Sequence, residues 1–268
     1  MLLNRETRCG VCRLIVESPA SGAWNMAVDE ALVEAVAEDQ KPTLRIYRWE
    51  RPTLSLGYFQ SYSERESHPP SLGADVVRRL SGGGAILHDR ELTYSLILPS
   101  THPIAADTQL LYSNIHQAIV RWFTSFFPGE GVSWRLVLCG GAPNEGVQRE
   151  QPFLCFQRRS PGDVLLIDGA VAGDHKLVGS AQRRRRGSVL QHGSILWSTS
   201  QAAPEVCGFT QLTGLKVPLE EAERRLPSRL LEVLELEGEE SPLPDELLAA
   251  AEEKRDKRYK VPAWNRRR

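Results

Sequence analysis

The 268 residues predict an α+β fold, a mixed, largely antiparallel sheet flanked by helices. Stretches with strand-like alternation outnumber helical ones, and most follow one another through short turns. Apolar stripes at helical spacing are few and well separated. A wound βαβ sheet fits less well, because it requires a crossover between successive strands.

Val28, Ala31, Leu32, Ala35 and Val36 recur at helical spacing and place a first helix over about 22–38. After Pro42, residues 44–49 alternate and 53–58 follow Arg51-Pro52, which predicts two strands joined by a turn. Further strands are expected at 75–79, 85–88 and 92–98. Leu111, Ile115, Ile119, Trp122 and Phe126 mark a second helix, ended by Pro128-Gly129. Strands resume at 132–138, 164–167, 176–181 and 188–197, with 140–151 as a polar surface loop. The tail is helical, with Leu230, Leu231 and Leu234 in one piece and 245–257 in another, where Glu253 and Lys257 form an i,i+4 pair. A single domain over 1–268 with a helical C-terminal segment at about 218–260 is expected.

Composition is ordinary for a soluble protein, with 41% hydrophobic and 25% charged residues. With 33 basic against 34 acidic side chains, the molecule has no overall bias toward nucleic acid or membrane, so a charged partner must meet a local patch. Five scattered cysteines (9, 12, 139, 155, 207) form no disulfide framework and point to a reducing compartment. Residues 1–13, broken by Arg5, Glu6, Arg8 and Arg13, offer no apolar run for a signal peptide or membrane span. A cytoplasmic protein is expected.

Three segments carry chemistry. In Arg79-Leu80-Ser81-Gly82-Gly83-Gly84, three glycines between two strands suit a sharp bend or a close approach to a ligand, and bare N–H groups beside Arg79 can hold a carbonyl or phosphate oxygen. A plain glycine-rich hairpin turn is the alternative. Cys155-Phe156 supplies a thiol, the best neutral-pH nucleophile among side chains, although a lone cysteine also serves as a small buried apolar residue. Lys176 to Gln182 reads as a strand in which Lys176 and Val178 share a face. A lysine held in a cleft would favour a nearby thiolate and bond an acyl carbonyl; alone it would be a solvated strand-edge residue.

Taken together, these segments resemble the biotin/lipoate protein ligase and transferase superfamily, in its octanoyl- and lipoyl-handling branch. The likeness covers Trp24 to Asp29, 44–60, 79–95 with His88-Asp89, Cys155-Phe156, 176–182, 190–194 and the closing Trp264-Asn265. It is strongest to octanoyl-[acyl carrier protein]:protein octanoyltransferases of the Gram-positive type. The resemblance implies a biotin/lipoate ligase-like, class II synthetase-like catalytic domain. It implies Cys155 as the acyl-accepting nucleophile, Lys176 as the group that favours its thiolate, and Arg79, Ser81, Gly82, Gly83, Gly84, His88, Gly179, Ser180, Ala181 and His192 around the substrate. Octanoyl would pass from acyl carrier protein to Cys155 and then to a lysine of a lipoyl domain or glycine-cleavage H protein, with no cofactor.

Other readings stay open. Gly82-Gly83-Gly84 looks more like the lipoate ligases, which adenylate the acid and would need ATP and Mg. An amidotransferase moving octanoyl between lipoyl proteins would use the same thiol, and an effector-binding module would bind octanoate or lipoate without turnover. Cys9-Gly10-Val11-Cys12 lacks a second ligand pair, so no metal is expected. His68, His102, His116 and His175 read as surface residues, and His88 and His192 as pocket architecture. Arg183 to Arg186, with Arg266 to Arg268, could suggest nucleic acid but reads as a solvated hairpin tip; if the run has a partner, an acidic acyl carrier protein fits.

Overall fold

The computed structural model describes residues 10–127, 134–140, 152–168 and 173–267. Along the chain run β1 (Gly10–Val16), α1 (Gly22–Asp39), β2 (Thr43–Tyr47), β3 (Thr53–Leu56), β4 (Asp75–Arg78), β5 (Ile86–His88), β6 (Glu91–Pro99) and α2 (Thr108–Thr124). There follow β7 (Trp134–Leu138), β8 (Val164–Asp168), β9 (Asp174–Arg185), β10 (Ser188–Leu196), α3 (Phe209–Thr213), α4 (Leu219–Val233), β11 (Leu236–Glu240), α5 (Asp245–Lys254) and α6 (Pro262–Asn265). Among the described residues, no helix is long and apolar enough to cross a membrane.

Eight strands form one sheet in the order β11-β1-β2-β6-β10-β9-β8-β7, and β4-β3-β5 form a second. Pairing is parallel at β11-β1-β2 and β3-β4 and antiparallel elsewhere, so the expected mixed, largely antiparallel sheet is present. Alternation in β2 and β6 sends Leu44, Ile46, Leu92, Tyr94 and Leu96 to a core closed by α2 and α4. Tyr47 and Ile97 join the other core, with α1 and α5.

Helix α1 starts where the Ser21 hydroxyl accepts the Trp24 N–H and stops at Gln40, whose φ of 57° is left-handed. The sequence predicts one apolar stripe for it. In the structure α1 is buried on most sides between the large sheet and α5, and its polar residues there are paired rather than solvated.

Strands β2 and β3 are joined by a short turn as expected, but lie in different sheets: β2 between β1 and β6, β3 at the centre of the small sheet. Two expectations are corrected. The triple glycine is no hairpin turn, because β4 and β5 lie on opposite sides of β3. The C-terminal segment is not wholly helical. Leu236–Glu240 adds a mostly exposed edge strand to β1, and its glutamates and glycine concealed it from pattern reading. The Pro128-Gly129 stop and most of the polar loop at 140–151 lie outside the described residues.

The arginine run does sit at a turn. Arg186 and Gly187, with φ of 49° and 88°, link β9 to β10, but only Arg186 is at the tip. Arg184 donates to the carbonyls of Ala105 and Ala106, while Arg185 pairs with Glu30 and Glu34.

Candidate active site

The glycine loop is held from beneath. Buried Arg79 donates to Ser55 O at 2.8 Å, Gly82 O at 2.7 Å and Gly84 O at 2.8 Å, so one planar fork fixes both ends of the bend. Burial pushes its guanidinium down to about 10, partly opposed by the sulfur of Cys155. Gly83 adopts a φ of 93° and Gly57 approaches it closely: a Cβ on Gly57 would lie 2.0 Å from Gly83 O. Ser81 Oγ lies 2.5 Å from His192 Nε2, and His192 Nδ1 lies 3.3 Å from Asp29. Asp29 also accepts from Arg45, Tyr47 and Ser95. These bonds hold its carboxyl below the usual range against the effect of burial.

Directly after the glycines, Ala85 bonds the segment carrying the thiol. Ala85 N–H donates to Phe153 O, and Cys155 N–H donates to Ala85 O at 2.7 Å. Cys155 therefore opens a short 3₁₀ turn over 155–157, and its side chain is half-buried against Ile86, Phe156 and Leu196.

Strand β9 brings the lysine. Lys176 Nζ lies 3.8 Å from Cys155 Sγ, 3.5 Å from Cys155 O and 2.8 Å from Asp163. The register slips here, with Leu165 opposite Lys176 and Val164 opposite Val178, so simple alternation lapses at Leu177. Gly179 makes room for the lysine: a Cβ there would meet Lys176 Cε at 2.5 Å. Asp163 also accepts from Tyr112 OH and Ser160 N–H, both at 2.7 Å. Burial, then the Asp163 charge, pushes the Tyr112 hydroxyl well up, so it stays a donor.

Behind them runs a buried polar chain. His116 Nε2 lies 2.6 Å from Ser180 Oγ, which lies 2.7 Å from Tyr94 OH. His116 is fully buried, and burial pushes it down to about 4. The surface reading of His116 is thus wrong, as it is for His68, which is enclosed between Ser71 and Glu205. His88 stacks on Trp49 at 3.9 Å and bonds Ser55 and Glu91. A small cavity of about 20 Å³ lies between these groups, lined by Met26, Tyr47, Trp49, Arg79, Ala181 and His192 among others.

Residues 21–207 match the lipoyl protein ligase A/B catalytic domain. The chain belongs to that family. Among its curated relatives is the octanoyltransferase LipM of Brevibacillus brevis, 32% identical over 282 residues, which cover 96% of this chain and 99% of the relative. LipM of Kyrpidia tusciae is 39% identical over 195 residues, 69% of this chain and 65% of that protein. The fold matches the solved bi-partite lipoate protein ligase of Thermoplasma acidophilum, with a TM-score of 0.71 and 23% identity across 96% of each chain.

Of the residues expected at the site, Arg79 and Ser81 to Gly84 form the bend, Lys176 and Gly179 stand beside Cys155, His88, Ala181 and His192 line the cavity, and Ser180 lies in the polar chain with His116 and Tyr94. Sequence reading missed Asp163, Tyr112, His116 and Asp29. Only Asp29 carried a signal, its place in the Trp24 to Asp29 segment. Cys9 lies outside the described residues, and Cys12 is buried in the core with its thiol pushed up to about 12 by burial.

Proposed function

We propose that this chain is an acyltransferase that carries octanoyl as a thioester on Cys155 and delivers it to a lysine of a lipoyl domain. The observation that carries this reading is the 3.8 Å approach of the Lys176 ammonium to the Cys155 sulfur, with Asp163 bonded to the same ammonium at 2.8 Å. An ammonium at that distance can hold both the attacking sulfur and the carbonyl oxygen of its acyl group. The octanoyltransferase relatives support the same acyl group.

In the first half-reaction the thiolate attacks the carbonyl of octanoyl-acyl carrier protein. A new C–S bond forms, the carrier's C–S bond breaks, and the carrier thiolate leaves and takes a proton. In the second, a deprotonated lysine amine of a lipoyl domain or glycine-cleavage H protein attacks. A C–N bond forms, the Cys155 C–S bond breaks, and the amine proton returns to sulfur. The Lys176 ammonium and N–H groups of the glycine bend stabilise the oxyanion of each tetrahedral intermediate. Met26, Tyr47 and Trp49 line a small cavity beside this site, which must widen to take the acyl tail. The donor thioester is already activated, so neither ATP nor metal is required, and the reaction belongs in the cytoplasm with its carrier.

Incubation with octanoyl-acyl carrier protein, read by intact mass, should give a single octanoyl adduct that Cys155→Ala abolishes. An unmodified wild-type chain would refute the thioester route. The triple glycine favours a second reading, a lipoate ligase. It predicts pyrophosphate release from ATP on adding lipoate or octanoate, unaffected by Cys155→Ala. An amidotransferase would form the same adduct from an octanoylated lipoyl protein instead.

A further inference from the structure

We infer that the arginine and aromatic cluster around Tyr58 and Phe59 is the docking surface for the acyl donor, an acidic carrier protein that presents its thioester on a long flexible arm. The inference rests on the transferase reading above.

The loop at 57–60 is stacked directly on the glycine bend. Tyr58 N–H donates to Ser81 O at 2.8 Å, and Gly57 approaches Gly83 too closely for any side chain. On this loop Phe59 is 63% exposed, an unusual cost for a phenylalanine beside a site. Around it lie three cations: Arg267 at 3.9 Å and Arg183 at 5.3 Å over the Tyr58 ring, and Arg266 at 5.5 Å over Tyr62. Among the described residues none of the three forms an ion pair, whereas their neighbours Arg185 and Arg186 are paired with glutamates. In a chain of net charge -1, this makes a local cationic patch with an apolar centre. An exposed aromatic among arginines is the composition of an energetically dominant interface, and the charge selects an acidic partner.

The patch also extends away from the thiol: Arg183, at its far edge, lies seven residues beyond Lys176 on β9, roughly 20 Å at strand rise. A carrier whose acyl group sits at the end of an extended prosthetic arm spans that distance.

The test compares two donors for the full chain and for Arg183→Glu combined with Phe59→Ser: octanoyl-acyl carrier protein and the small thioester octanoyl-N-acetylcysteamine. The variant should lose tenfold or more in kcat/KM with the carrier, mostly in KM, and stay within twofold of wild type with the small thioester. For wild type the carrier reaction should weaken with salt and the other should not. Equal losses on both donors, or none on the carrier, would overturn the docking surface while leaving the transferase reading intact. Oligonucleotide binding removed by the same substitutions, with carrier kinetics unchanged, would also overturn it. A wild-type chain inert toward both donors would remove the transferase reading itself, and the docking surface with it.

Discussion

Lys176 holds its ammonium 3.8 Å from the sulfur of Cys155 while Asp163 anchors the same ammonium at 2.8 Å. The pair is buried, so neither charge is screened by water and neither can be removed alone without consequence.

A double-mutant cycle tests this pairing. Lys176→Met and Asp163→Asn should each destabilise the fold by about 3 kcal/mol, the range for an orphaned buried charge. The double variant should lose clearly less than the sum, as measured by urea unfolding. Adduct formation from octanoyl-acyl carrier protein should fall at least tenfold in Asp163→Asn, because the ammonium is no longer aimed.

Two glycines should behave oppositely. Gly57→Ala would drive a Cβ to 2.0 Å from Gly83 O, a backbone atom with nowhere to go. About 1–3 kcal/mol of stability and most of the activity should be lost. Gly82→Ala meets nothing within 4 Å and should leave the melting temperature nearly unchanged. Equal effects at both positions would show that the loop is not wedged as described.

His116 sets an acid limit. Burial pushes it from 6.5 to about 4, so between those values the unfolded chain binds a proton that the folded chain does not. Unfolding free energy must therefore rise with pH across that window and fall as acid is added, by up to about 3 kcal/mol from this group. His116→Gln should flatten the dependence of stability on pH between 6.5 and 4, even if it lowers stability at pH 7.

The C-terminus should matter far from its own sequence. Arg78 donates to the carbonyls of Gly57, Gln60, Trp264, Asn265 and Arg267, while Asn265 accepts from the Arg78 N–H. Arg78→Lys cannot reproduce the fork and should lower the melting temperature by several degrees. Limited proteolysis should then cut the last residues first.

Much of this site was readable because its chemistry is clustered in short runs. Ser81 to Gly84 and Lys176 to Gln182 each put several site residues in one stretch, and such a stretch retains its meaning in any fold that keeps it. Asp163 and His116 were not readable. A single carboxylate after Pro161-Gly162 and a histidine on an amphipathic helix give no local sign of a partner 13 or 64 residues away. Pairing of β3 was hidden for a related reason, since which edge is already occupied depends on strands elsewhere in the chain.

Periodicity and residue chemistry alone determined most of the strands and helices and that the sheet is mostly antiparallel, and the family resemblance singled out a thiol, a lysine and a glycine bend as candidate reactive parts. Tertiary structure alone decided that these parts meet, what orients the lysine, and which histidines are dry. Local sequence fixes backbone preference and side-chain type. Distances between segments depend on how two sheets and their helices close over a shared core, a global packing problem with no local signature.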